Sequence, residues 1–301
     1  MLNVNGICKS FNNRNVLENV SFKLERGKVF SYLGPNGAGK TTTIRILNGL
    51  LKFECGEIIL ENEKMNPYDV RLRKRSGLLT ENPGFYERFD AVKNLRFFGS
   101  LQGMDDNVLN ERITEMLKEF GLYEYKNTPV GTYSKGMKQK LALIRALLHD
   151  PDIVYLDEPT ASLDPETSLF VRNLISDLRK KGKSVFLSTH NLNEAEQISD
   201  WVAFINRTIV VQGPIENLKN MLFGKTVIIE FEGESEKIRE ILKNYDFEIL
   251  DSRIKIRNVS GISKILKDLL DSDINVSYVY PEEHNLEEIY MELISNEYKK
   301  H

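Results

Sequence analysis

Between Gly34 and Thr41 the chain reads Gly34, Pro35, Asn36, Gly37, Ala38, Gly39, Lys40, Thr41, three glycines followed by a cation and a hydroxyl. That spacing lets backbone N–H groups curl round the β- and γ-phosphates of a nucleotide. Lys40 neutralises their charge, and the Thr41 hydroxyl is placed to ligate Mg²⁺. Further on, Ile153-Val-Tyr-Leu-Asp157-Glu158 ends an apolar run in two adjacent carboxylates. At the carboxyl end of a strand, Asp157 suits the Mg²⁺ shell, and Glu158 suits orienting and deprotonating a water. An acidic strand end alone is as simply read as solvated. Beside a phosphate loop, the pair implies attack of water on a bound phosphate chain.

Such groups need a rigid sheet to hold them. Over the first two hundred residues, short apolar runs alternate with amphipathic stretches, the pattern of a parallel sheet flanked by helices. Val29–Leu33, Ile153–Leu156 and Val185–Leu187 are apolar on both faces and read as buried strands. Val16–Leu24 alternates and reads as an antiparallel ribbon. Helical spacing in Phe97–Leu101, Ile113–Phe120 and Leu141–Leu148 marks a helical insert at about 85–150, and the stretch Thr42–Leu51 after the glycine-rich loop is helical too. Val202–Ile205 and Ile209–Val211 form a hairpin pattern. After Gly213–Pro214 the texture changes. Strand-like Thr226–Phe231, Phe247–Leu250, Ile254–Ile256 and Ile274–Val279 alternate with helix-like Ile238–Leu242 and Ile262–Leu270. The order βαββαβ implies a small two-layer domain, with a last helix over Leu286–Leu293.

Tyr133-Ser134-Lys135-Gly136-Met137-Lys138-Gln139, ahead of the acidic pair, resembles the signature sequence of ABC ATPases, in the form common among drug, antibiotic and ABC-2-type exporters. Ser162-Leu163-Asp164 resembles that family's D-loop, and His190, after a strand, its switch histidine. Phe11 stands where the family stacks an aromatic on adenine. The resemblance covers roughly residues 1–215. It implies an α/β fold: an ABC-type P-loop NTPase core, with a RecA-like parallel sheet, an antiparallel β subdomain and a helical subdomain, followed by a small α+β C-terminal domain. Residues 216–224 read as a linker and 225–301 as the accessory domain.

The resemblance also implies ATP and Mg²⁺ as ligands, held by Phe11, Gly34 to Thr42 (Thr42 included), Glu81 and Asp157. Lys40, Glu158 and His190 would carry catalysis, with Thr41, Asp157 and Glu81 around the metal. Ser134, Gly136 and Asp164 would cover the ATP of a second subunit in a head-to-tail dimer, of identical or paired chains. Glu81 departs from the family, because a glutamine is usual there. A carboxylate still ligates Mg²⁺ or water but adds negative charge beside the triphosphate.

Charged residues make up 28% of the 301, hydrophobic ones 41%, and net charge is −3, so no global field recruits nucleic acid. Residues 225–301 hold 11 Lys and Arg against 17 Asp and Glu, which is no basic platform either. The acidic runs Glu230–Glu236 and Glu282–Glu288 read as solvated faces, or else as partner contacts. The opening MLNVNGICKSF lacks the apolar core of a signal peptide, and no run nears the ~20 apolar residues of a membrane helix. The expectation is a cytoplasmic chain, peripheral on the inner membrane face through an integral membrane permease on a separate chain. Cys8 and Cys55, without CxxC spacing, are expected to be reduced and structural. His149, His284 and His301 lack a functional context. The ending Asn285–Leu293 resembles the tail of ABC-2-type exporter ATPases and favours export. An importer ATPase, a non-transport cytosolic ABC ATPase and a non-hydrolysing regulatory subunit remain alternatives, and the transported substrate is not legible.

Overall fold

The computed structural model describes residues 1–233, 235–257 and 261–298; Glu234 of the first acidic run and His301 lie outside the described residues. The chain divides into two units, Met1–Gly213 and Pro214–His301.

In the first unit a six-stranded sheet runs in the order Thr208–Gly213, Trp201–Asn206, Val29–Leu33, Ser184–Thr189, Ile153–Asp157, Ser76–Leu79. All neighbours are parallel except the outer Thr208–Gly213, which folds back on Trp201–Asn206 as a hairpin. Alternate residues of the central strands serve two cores, which is why both faces had to be apolar. Val29, Val154, Leu156, Val185 and Leu187 pack with Leu143, Leu147, Val171 and Ile175 of the helices Lys135–Leu147 and Pro165–Lys180. Phe30, Tyr32, Ile153, Tyr155 and Phe186 pack instead with Ile44 and Leu47 of the helix Lys40–Leu47 and with a second sheet. That sheet is antiparallel, in the order Arg14–Leu24, Leu2–Phe11, Cys55–Leu60, Glu63–Met65. The insert contains the helices Ala91–Leu101, Asp106–Glu119 and Lys135–Leu147.

Two expectations are corrected. Cys8 and Cys55 form a disulfide, with Cα atoms 5.1 Å apart. The antiparallel pairing of Leu2–Phe11 with Cys55–Leu60 puts them directly opposite each other. Neither strand had been read from the sequence, so nothing brought two cysteines 47 residues apart together. Residues 216–224 are not a linker but the helix Ile215–Phe223 of the second unit. Pro214 stands at its N-cap and Gly224, at φ 67°, closes it, so the two residues bracket a helix. Leu218 is buried, and the helix packs on the last one, Leu286–Tyr298.

The second unit's sheet is antiparallel, in the order Asp246–Leu250, Arg253–Arg257, Val227–Glu232, Asn275–Pro281. Ile229, Phe231, Ile254 and Ile256 share a core with Ile238 of the helix Ser235–Ile241 and with Ile265 and Leu269 of the helix Ile262–Leu270. Among the described residues no helix is long and apolar enough to cross a membrane.

Candidate active site

The loop from Gly34 to Gly39 joins the buried strand Val29–Leu33 to the helix Lys40–Leu47. Two of its glycines are obligatory. A Cβ on Gly34 would lie 2.3 Å from the Ile205 carbonyl oxygen, and one on Gly39, at φ 103°, would lie 2.5 Å from Leu17 Cδ2. The Ala38 N–H donates to Pro35 O at 3.2 Å, and Thr43 Oγ1 donates to Gly39 O at 3.0 Å, which fixes the curl. Lys40 is buried; its ammonium donates to Gly34 O at 2.7 Å and Pro35 O at 3.3 Å. It also lies 3.5 Å from Glu158 Oε1.

Asp157, at the carboxyl end of Ile153–Asp157, is 3% exposed and accepts a hydrogen bond from Ser188 Oγ of the neighbouring strand. Glu158 follows at φ 49°, a left-handed conformation held by its N–H donating to Ser188 O at 3.0 Å. The turn aims its carboxylate back at the loop. Oε2 lies 2.9 Å from His190 Nδ1, and Oε1 has the Lys40 ammonium as its ionic neighbour. His190 follows the strand Ser184–Thr189, so the sheet sets both members of the pair.

Ten of the residues singled out in the sequence line one cleft of about 310 Å³: Phe11, Asn36, Gly37, Gly39, Lys40, Thr41, Thr42, Glu81, Asp157 and Glu158. Phe11 is 44% exposed, with the Lys9 ammonium 5.0 Å from its ring centroid. One end of the cleft is thus an aromatic face and the other a phosphate-sized loop with a cation and carboxylates. The oxygen donors Thr41, Asp157 and Glu81 fit a hard divalent ion that takes most of its remaining ligands from water and phosphate. Among the described residues, no three His, Cys, Asp or Glu side chains converge as a self-sufficient metal site.

Ser134, Gly136 and Asp164 do not line this cleft. They form a separate constellation where two helices begin. Ser134 N-caps Lys135–Leu147, accepting from Met137 N at 3.2 Å. Asp164 N-caps Pro165–Lys180, accepting at 2.8 Å from both the N–H and the hydroxyl of Thr167, and these bonds hold its carboxyl below the usual range. A Cβ on Gly136 would come within 2.8 Å of Thr167 Oγ1, so glycine lets the two helix starts approach. Ser134 and Asp164 are exposed.

Sequence reasoning missed Ser188, which anchors Asp157, and Glu194. Glu194 is 2% exposed, accepts from Thr160 Oγ1 at 2.5 Å, and burial raises its pKa above the usual carboxylate value. Its local signal, Asn191 three residues before it, reads as a capping box, and Asn191 does accept from Glu194 N at 3.0 Å. Nothing local announces that the side chain then turns inward to Thr160, near enough to Glu158 to feel its charge.

Residues 17–161 match the family model of ABC transporters. The uncharacterized ABC transporter ATP-binding protein YxlF of Bacillus subtilis is 34% identical over 299 residues, covering 98% of this chain and 99% of that protein. The fluoroquinolones export ATP-binding protein Rv2688c of Mycobacterium tuberculosis is 35% identical over 218 residues, 71% of this chain and 70% of its own length. Among solved structures, an ATP-binding subunit of an ABC transporter superposes with a TM-score of 0.67 at 28% identity, covering 73% of this chain and 92% of the other.

Proposed function

Because the chain belongs to the ATP-binding proteins of ABC transporters, and so binds and hydrolyses ATP, we propose that it drives export through an integral membrane permease on a separate chain, by ATP-dependent head-to-tail closure of two cassettes. The observation that carries this reading is the split of its motifs. Lys40, Asp157 and Glu158 share one cleft, while Ser134, Gly136 and Asp164 stand outside it, Ser134 and Asp164 exposed. A helix N-terminus with free N–H groups suits an anion. The anion that fits is the triphosphate held by a second copy, or by a paired cassette.

Within the cleft, Phe11 offers its ring to adenine, and backbone N–H groups of the stretch from Asn36 to Thr42, with the Lys40 ammonium, hold the phosphates. Mg²⁺, when bound by Thr41, Asp157 and Glu81, neutralises charge on the phosphate oxygens. Glu158 takes the proton of the attacking water, and His190 fixes that carboxylate through its 2.9 Å contact. Export is supported by the relative that is itself named for export. A membrane partner at the cytoplasmic face is supported by the exposed apolar cluster beyond Glu81. There Tyr86, Phe89 and Phe97 are each more than 40% exposed, and the rings of Tyr86 and Phe97 meet edge-on at 5.2 Å.

The test is Glu158→Gln with Mg-ATP, followed by size-exclusion chromatography. Closure that survives without water activation should leave a stable dimer retaining ATP. A variant that stays monomeric and hydrolyses ATP at the parental rate would remove both the base and the dimer from this account.

A further inference from the structure

Phe11, whose ring lines the nucleotide cleft, stands at the tip of the hairpin formed by Leu2–Phe11 and Arg14–Leu24. Asn12 and Asn13, at φ 50° and 61°, turn the chain tightly there, and Phe11 pairs with Arg14. The ladder below the tip is irregular. Register shifts interrupt it between Ile7 and Lys9 and again between Lys9 and Ser10. On its other side, Leu2–Phe11 pairs with Cys55–Leu60 as far as Cys8, which lies opposite Cys55. The Cys8–Cys55 disulfide is therefore the last rung of that ladder, in the same strand as Phe11 and just ahead of it.

Glu54, next to the bridge, carries the tether onward. Its N–H donates to Cys8 O at 2.9 Å, and its Oε1 accepts from Lys9 Nζ at 3.1 Å and from Ser10 N at 3.2 Å. The same Lys9 ammonium lies beside the Phe11 ring. Glu54 is exposed, so its ion pair is worth little once no covalent bond holds that segment against Cys8. Cys55 is exposed and Cys8 half-buried, which leaves Cys55 Sγ open to attack from solvent. Gly6 O lies 3.4 Å from Cys55 Sγ and 3.6 Å from Cys8 Sγ, an acceptor ready for both thiols when the bridge opens. The reading above places the chain at the cytoplasmic face. Thiol reductants are abundant there, and a disulfide more often senses redox state than braces a fold.

We propose that Cys8–Cys55 is a thiol–disulfide exchange site through which a low-molecular-weight thiol sets the affinity for adenine nucleotides. The proposal rests on the adenine role given to Phe11 above. In the exchange, the thiolate of one external thiol attacks Cys55 Sγ, forms a mixed disulfide and expels Cys8 Sγ as a thiolate. A second external thiolate attacks its counterpart in the mixed disulfide and expels Cys55 Sγ. The bridge gains two electrons and, from the two external thiols, two protons; those thiols leave joined as a disulfide. The reverse exchange with that disulfide restores the bridge. Oxidised, the hairpin tip is tethered and the Phe11 ring is held ready at the cleft. Reduced, the tip is freer, and ordering it on binding costs affinity for the base while the phosphate loop is unchanged.

The test takes the full chain oxidised with glutathione disulfide or reduced with glutathione, and measures dissociation constants for Mg-ADP and for Mg-pyrophosphate, which has no base. Alkylation of the denatured chain and its intact mass score the state, since Cys8 and Cys55 are its two cysteines. Reduction should weaken Mg-ADP binding by about three- to tenfold, part of the value of a base–aromatic stack, and leave pyrophosphate within about twofold. Cys8→Ser and Cys55→Ser should each bind Mg-ADP as the reduced chain does and stop responding to glutathione. Phe11→Ala should bind Mg-ADP at least about fivefold more weakly than the oxidised parent, in either redox state. A reduced chain that holds Mg-ADP as tightly as the oxidised one, or loses pyrophosphate in parallel, overturns this inference. So does a chain that keeps both thiols free after treatment with glutathione disulfide. In each of those cases a weakened Phe11→Ala leaves the adenine role standing. If Phe11→Ala binds Mg-ADP like the oxidised parent, that role and this inference fall together.

Discussion

Both units of this chain are sheets with helices packed against them, yet only one ends its strands in chemistry. In the first, the strand Ile153–Asp157 terminates in a buried carboxylate, a neighbouring strand ends beside His190, and a third runs into the glycine-rich loop. All three strands are parallel, so their carboxyl ends fall on one edge and their functional groups converge. In the second unit every pairing is antiparallel. Neighbouring strands end on opposite edges, and the charged residues pair along the sheet instead, as with Arg253 and Glu230 at 2.9 Å or Arg257 and Glu248 at 3.1 Å. The difference teaches that strand direction, more than composition, decides which unit can assemble a site.

The largest effect that could break this contrast is on turnover. Glu158→Gln should lower the ATPase rate by at least about 100-fold, the scale of a general base. Its affinity for ATP should stay close to that of the parent, because the phosphate loop is untouched. A rate loss below tenfold in a steady-state assay would place the base elsewhere.

Next in size is stability, and here the units should separate. Ile254 is fully buried in the second unit, and Ile254→Ala should cost that unit about 2–5 kcal/mol. The single tryptophan, Trp201, lies in the first unit's sheet and reports on that unit alone. Urea unfolding followed by circular dichroism should show an early transition in the variant, while the Trp201 fluorescence midpoint and ATP affinity stay put. A shifted fluorescence midpoint would show that the accessory unit supports the cassette thermodynamically.

Smaller still is the effect expected at Glu81, which lines the cleft but sits exposed on its rim. Glu81→Gln should keep ATP affinity within a few-fold while moving the Mg²⁺ concentration that gives half-maximal turnover. An unmoved magnesium curve would take Glu81 out of the metal's surroundings.

The same contrast explains what was legible in advance. The glycine-rich loop, the acidic pair and the central strands were readable because each is local, and a buried parallel strand is apolar on both faces. Leu2–Phe11 and Cys55–Leu60 were not, since they are half-exposed and mix polar residues into their alternation. With those strands unread, the Cys8–Cys55 bridge had no sequence signal. Ile215–Phe223 is hidden because Gly213–Pro214 and Gly224, which bracket the helix, are also the residues of a turn or linker. Glu194 failed for a different reason. Its sequence context is that of a cap, and its burial against Thr160 comes from how the helix Leu192–Ile198 packs.

The smallest effect expected is a pH dependence at His149. Burial lowers the pKa of this imidazole, which lies beside Asp150 and Lys183 and donates to Ser76 O. Above about pH 6.5, the ordinary histidine value, the ring is neutral in both native and unfolded chains, and His149 adds no pH slope. Below it, the unfolded chain takes up a proton that the native state does not yet accept, so native stability falls with pH through that window. His149→Gln keeps an N–H for Ser76 O but does not titrate. Its Trp201-monitored urea midpoint should therefore fall less between pH 7.5 and 5 than the parent's, with little difference between the two proteins at pH 7.5. Parallel declines would mean that the proton is taken up elsewhere, with the buried Glu194 unable to account for it. Burial raises that carboxyl's pKa, so its native form binds protons more readily than the unfolded chain and stabilises the fold as pH falls. The two buried groups thus pull in opposite directions, and removing the histidine alone should expose the sign of the acid.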